Sequence, residues 1–165
     1  MPDYAEAYHN VAIALLSERR YAEAVQNCQK AVSLKLDYAE VYNTMGFAFE
    51  KQQRYAEAIE SYKQAVRLKP DFAEAYNHLG VILNELGRPS EAIESHRLAL
   101  QADPEYAEVY NNLGIALKDR EQFAEAIWNF EQALRLDPDF AEAHYNLANS
   151  LRDQGRCAEA LAGYK

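Results

Sequence analysis

The sequence predicts an all-α chain built as a stack of helix pairs, and three observations carry that prediction. One phrase recurs at Ala5 (AEAY), Ala39 (AEVY), Ala73 (AEAY), Ala107 (AEVY) and Ala141 (AEAH), each start 34 residues after the last. A fixed period in this range signals a stacked-repeat architecture. Within each period the apolar residues fall at helical spacing in two separate runs, and a breaker such as Asp137-Pro138 closes the second, because proline lacks the N–H a helix needs.

The unit is clearest between Ala107 and Pro138. Tyr110, Leu113, Gly114 and Leu117 recur at i, i+3, i+4 and i+7, one face of a first helix. Phe123, Ala126, Ile127, Phe130, Ala133 and Leu134 repeat that spacing on a second helix. A short polar joint, Asp119 to Gln122, lies between them, so the unit reads as a helical hairpin with its apolar faces turned inward. The chain is therefore one array over 1–165, with repeats at 5–38, 39–72, 73–106 and 107–140 and a truncated fifth at 141–165.

An aromatic (Tyr110), then Leu113-Gly114, then Phe123-Ala124-Glu125-Ala126, a second aromatic (Phe130), Ala133-Leu134 and a closing Pro138 resemble the tetratricopeptide repeat. The resemblance covers nearly the whole chain. It implies a right-handed superhelical solenoid of antiparallel helix pairs, whose first helices line a concave peptide-binding groove.

Composition narrows the partners. With 17 basic and 26 acidic side chains the formal charge is −9, the opposite of what phosphate backbones reward, so nucleic acid is excluded as a partner. Apolar residues never run for the roughly 18 positions a membrane span needs, and Met1-Pro2-Asp3 does not open a signal peptide. The expectation is a cytoplasmic protein with no membrane partner. Cys28 and Cys157 fall in different repeats, too far apart to bridge, and read as reduced core fillers in places that other repeats give to aromatics.

Taken in order, the first helices open with Asp followed three residues later by Glu: Asp3 with Glu6, Asp37 with Glu40, Asp71 with Glu74, Asp139 with Glu142, and Glu105 with Glu108 as the imperfect copy. These read as capping pairs whose glutamates also complement the helix dipole. Gly46, Gly80 and Gly114, with Ala12 and Ala148, sit where a larger side chain would push helices apart, as do Ala24, Ala58, Ala92, Ala126 and Ala160 on the second helices. Leu36 replaces the proline found at Pro70, Pro104 and Pro138, which leaves that junction less rigid. In the third repeat Pro89 stands in a first helical turn, where proline is tolerated, and His96 takes the place of a core aromatic. Trp128 stands where other copies have Gln26, Glu60, Glu94 and Ala162, and reads either as a surface contact or as a ring half-buried against a neighbour. The fifth repeat stops midway through its second helix with no polar cap, which points to a fragment of a longer array or to self-association through that end.

Function is expected on the face each first helix leaves free. Stacking sets Asn10, Thr44, His78, Asn112 and Asn146 in one ladder and Ile13, Phe47, Val81, Ile115 and Asn149 in another. Four consecutive apolar side chains on the face away from the core call for a cover, either a ligand or the next first helix. The asparagine ladder resembles the repeat arm of O-linked N-acetylglucosamine transferases, where carboxamides hold a peptide backbone; this carries over to Asn10, Asn112 and Asn146, while Thr44 and His78 interrupt it. An amide both donates and accepts, as an extended main chain requires. The stripe Glu6, Glu40, Glu74, Glu108 and Glu142 argues against the carboxylate clamp of chaperone-tail-binding members and for basic or apolar partners.

No catalytic constellation is present in the sequence: His9, His78, His96 and His144 are scattered over repeats and faces, without metal-ligand spacing. The expectation is a non-catalytic scaffold, requiring no cofactor or metal, that binds a protein or peptide segment in its concave groove. The alternatives are the substrate-recruiting arm of a larger glycosyltransferase-like enzyme and a self-assembling or engineered array.

Overall fold

In the computed structural model, which describes residues 2–156, every regular element is helical. The helices are α1 (Pro2–Ser17), α2 (Tyr21–Leu34), α3 (Ala39–Glu50), α4 (Tyr55–Leu68), α5 (Ala73–Glu85), α6 (Pro89–Ala102), α7 (Ala107–Lys118), α8 (Phe123–Leu136) and α9 (Ala141–Asp153). Cys157, Ala160 and the open end of the fifth repeat lie outside the described residues. The chain divides into two compact units, one ending at Ile82 and the other beginning at Leu83.

In the first unit α1 packs on α2 and α3 on α4 as hairpins, with α2 laid against α3. The core takes in several predicted stripe positions together with Val41, which the spacing did not single out. Ala12, Ala24, Cys28, Val41, Ala58 and Tyr62 are fully buried. Burial pushes the Cys28 thiol up to about 12, so it packs as a small apolar group and offers no thiolate. The second unit repeats the arrangement with α6 on α7, α7 on α8 and α8 on α9, around Val109, Leu117, Ala126 and Phe130.

The hairpin joints turn on a left-handed residue that also recurs every 34 positions: Arg19, Gln53 and Glu121 at φ 59°, Gly87 at 69° and Gly155 at 83°. At the end of α1 the Arg20 N–H donates to the Leu15 carbonyl (2.9 Å) and the Arg19 N–H to Leu16 (2.9 Å), the paired bonds of a Schellman cap. The Arg54 guanidinium completes the second joint by lying 4.5 Å over the Phe49 ring.

The first-helix caps correct the expectation. α3, α7 and α9 are capped by Tyr38, Tyr106 and Phe140, with no side-chain hydrogen bond to the helix. The capping position therefore falls one residue past the Asp or Glu of each pair, while Glu40, Glu108 and Glu142 remain in the first turn, where a carboxylate favours the helix dipole. Two other aspartates order the preceding joints: Asp103 accepts the Glu105 N–H (3.0 Å) and Asp137 accepts that of Asp139 (3.2 Å).

Candidate functional site

The residues of the two expected ladders differ in exposure from helix to helix. Asn10 is exposed, and Ile13 is 46% exposed. Phe47, His78, Val81, Asn112 and Ile115 are half-buried. Asn146 and Asn149 are buried, which removes them from the surface open to a ligand.

In the first unit the structure brings Phe47 and His78 together and adds residues the sequence reading missed. The Phe47 ring meets His78 edge-on at 5.7 Å, and His78 stacks on Tyr62 at 5.3 Å with 9° between the planes. The Tyr62 hydroxyl donates to Glu50 (3.0 Å), whose other oxygen holds the Lys51 ammonium at 2.7 Å while that ammonium lies 4.6 Å over Phe47. His78 lies 3.8 Å from the Glu50 carboxylate and 3.6 Å from that of Glu74. The hydrogen bond from His78 holds the Glu74 carboxyl below its usual range, against the opposing effect of burial. Burial, reinforced by Glu50, raises the Tyr62 phenol, so it remains a donor.

A second row of polar residues, one position ahead of the asparagine ladder, links neighbouring first helices. The Thr44 hydroxyl donates to the Glu40 carbonyl (2.9 Å), so it accepts from Nε2–H of His9 (2.8 Å). Nδ1 of His9 is then the acceptor for the Tyr38 hydroxyl at 3.2 Å. Burial lowers the His9 pKa despite Glu40 and Glu6 nearby, in keeping with a neutral imidazole whose two nitrogens are both satisfied. In the second unit Asn146 donates to Asn111 (3.0 Å). The signal for this row was present in the sequence as His9, Asn43, Asn77 and Asn111, at the same period of 34.

Trp128 is 54% exposed on α8, with its ring edge-on to Tyr110 at 6.2 Å. His96 is 1% exposed, and burial alone lowers its pKa to about 4. Among the described residues no group of three or more His, Cys, Asp or Glu side chains is arranged to hold a metal ion, and no helix is long and apolar enough to cross a membrane.

Comparison with known proteins agrees with this geometry. No curated protein matches the chain. Its fold is similar to that of MamA from Desulfovibrio magneticus RS-1 (TM-score 0.88, 22% identity, 98% of this chain and 92% of that one). It is also similar to PilF of Pseudomonas aeruginosa (TM-score 0.88, 24% identity, 98% and 74%). A third similar structure is YrrB, described as a TPR protein with an unusual peptide-binding site (TM-score 0.79, 24% identity, 94% and 80%). The "TPR repeat" family matches residues 49–87 and 116–155, and the "Tetratricopeptide repeat" family matches 5–38 and 73–106. The chain belongs to the tetratricopeptide repeat family.

Proposed function

We propose that the chain is a non-catalytic interaction scaffold whose first-helix faces bind an extended peptide segment of a partner protein. The observation that carries this reading is Phe47, a large ring left half-exposed and held edge-on by His78 with Tyr62 behind. Such a ring, locked by its neighbours, anchors an apolar side chain at little further entropic cost. The exposed Glu40, on the same helix as Phe47, and Glu74, 3.6 Å from His78, favour a partner with basic residues flanking the apolar one, while Glu50 is already paired with Lys51. In the second unit Ile115 and Asn112 offer a second apolar contact and an amide suited to a main chain. The peptide-binding description of YrrB, a protein of similar fold, supports the same reading.

The test is selection from an unbiased peptide library on the purified chain, beside a Phe47→Ser, Asn112→Ala variant shown by circular dichroism to remain folded. Peptides enriched on the parent and lost on the variant are expected. No enrichment, or enrichment that survives both changes, contradicts the proposal.

A further inference from the structure

We infer that the cleft at Trp128, on the second-helix side of the second unit, is a separate docking site for a proline-rich extended segment of a partner protein. The cleft encloses about 330 Å³ between α6, α7 and α8. Its floor is apolar, Leu113 and Leu117, and its wall is the edge-to-face pair of Tyr110 and Trp128. Arg97 on α6 and Glu125 on α8 complete the rim at 3.5 Å from each other.

Comparison with the equivalent cleft two repeats earlier shows what is particular here. That cleft, about 210 Å³, is lined by Tyr42, Met45, Phe49, Glu57 and Glu60, so an acid stands in place of Trp128. There Arg54 holds Glu57 at 2.6 Å within one helix end. In the fourth repeat Gln122 occupies the arginine's place, and Glu125 pairs instead with Arg97 of α6. The two changes together give an aromatic wall and a rim whose charges cancel.

The chemistry selects the occupant. A rim with no net charge gives an ionic ligand no electrostatic gain, and the chain's −9 charge opposes an acidic one. The site offers donors: Arg97 spends a single N–H on Glu125, and the Trp128 indole N–H hydrogen-bonds to nothing among the described residues. It also offers ring faces set at 70° to each other. A polyproline-type segment is the complement, because its carbonyls accept without competing N–H donors and its flat rings pack on aromatic walls. Its extended conformation exists before binding, so little ordering is required.

Trp128 is the single tryptophan of the chain, so its emission reports the site directly. The experiment selects binders on the full chain from a phage library of proline-rich, tryptophan-free decapeptides, beside a library with the prolines replaced by alanine. Enrichment from the proline library alone is expected, with selected peptides giving a saturable blue shift of the Trp128 emission. Trp128→Glu, the residue native to the equivalent positions 60 and 94, weakens them at least about tenfold, and Arg97→Gln weakens them in a variant with the wall intact. Phe47→Ser leaves them unchanged, which separates this site from the first-helix face. Equal enrichment from the alanine library, no enrichment at all, or binding kept by both Trp128→Glu and Arg97→Gln overturns the inference.

Discussion

Gly114 lies flat against the Phe130 ring: a Cβ placed on the glycine would come 2.5 Å from Cε1 of that ring. Gly46 stands in the same relation to Tyr62, at 2.7 Å. The ring and the missing side chain are one packing solution, repeated in both units. Because the rings are fully buried, they cannot move aside cheaply. Gly114→Ala is predicted to destabilise the fold by about 1 to 3 kcal/mol. Adding Phe130→Leu should recover part of that loss, since the two changes share one contact and are not additive. Urea denaturation of the single and double variants measures both effects.

The left-handed joint residues predict a gain. Gln53 and Glu121 hold φ 59°, a conformation that costs a non-glycine residue about 1 kcal/mol, and Gly87 shows what relieves it. Gln53→Gly and Glu121→Gly should each raise stability by several tenths to about 1 kcal/mol, and Gly87→Ala should lower it by a similar amount. Thermal unfolding followed by circular dichroism distinguishes the signs.

Leu36 is 75% exposed in the joint where later repeats have proline. Lys35 before it has φ −143° and ψ 99°, close to the −138° and 97° of Asp103, which precedes Pro104. The backbone there already suits the residue before a proline. Leu36→Pro should stabilise by about 0.4 to 1 kcal/mol by restricting the unfolded chain, and calorimetry should show a raised Tm.

His96 predicts an acid sensitivity with a definite sign. Its folded pKa is lowered from 6.5 to about 4 by burial, so below pH 6.5 the unfolded chain takes a proton that the folded chain refuses. Stability is therefore full above that range and falls as pH drops toward 4, by about 3 kcal/mol for this one group. His96→Phe, the residue found at the equivalent Phe130, should remove that part of the slope. His9, whose pKa burial also lowers, keeps a contribution of the same sign. Denaturation midpoints of both proteins at several pH values between 4 and 7 check this.

Leu113, Leu117, Ile127 and Phe130 were legible in the sequence because helical spacing sorts one helix's residues by face, and all four are buried. The period of 34 likewise set where each hairpin begins. What the spacing did not reveal depends on pairs that no single helix contains. His9 with Thr44 and Asn111 with Asn146 lie 35 residues apart, so their hydrogen bonds follow from how neighbouring first helices mesh. The same meshing turned Asn146 inward and joined His78 to Tyr62 and Glu50, which belong to other helices. The left-handed joints were hidden because only two of the five, Gly87 and Gly155, are glycines.

The central claim is that a partner peptide docks on the first-helix face around Phe47. Its most direct test is calorimetric titration of one library-selected peptide into the parent chain, Phe47→Ser and Trp128→Glu, each verified as folded. The account predicts a loss of about tenfold or more in affinity for Phe47→Ser, as for a central anchor, and no change for Trp128→Glu. Equal affinity for the parent and Phe47→Ser would contradict it.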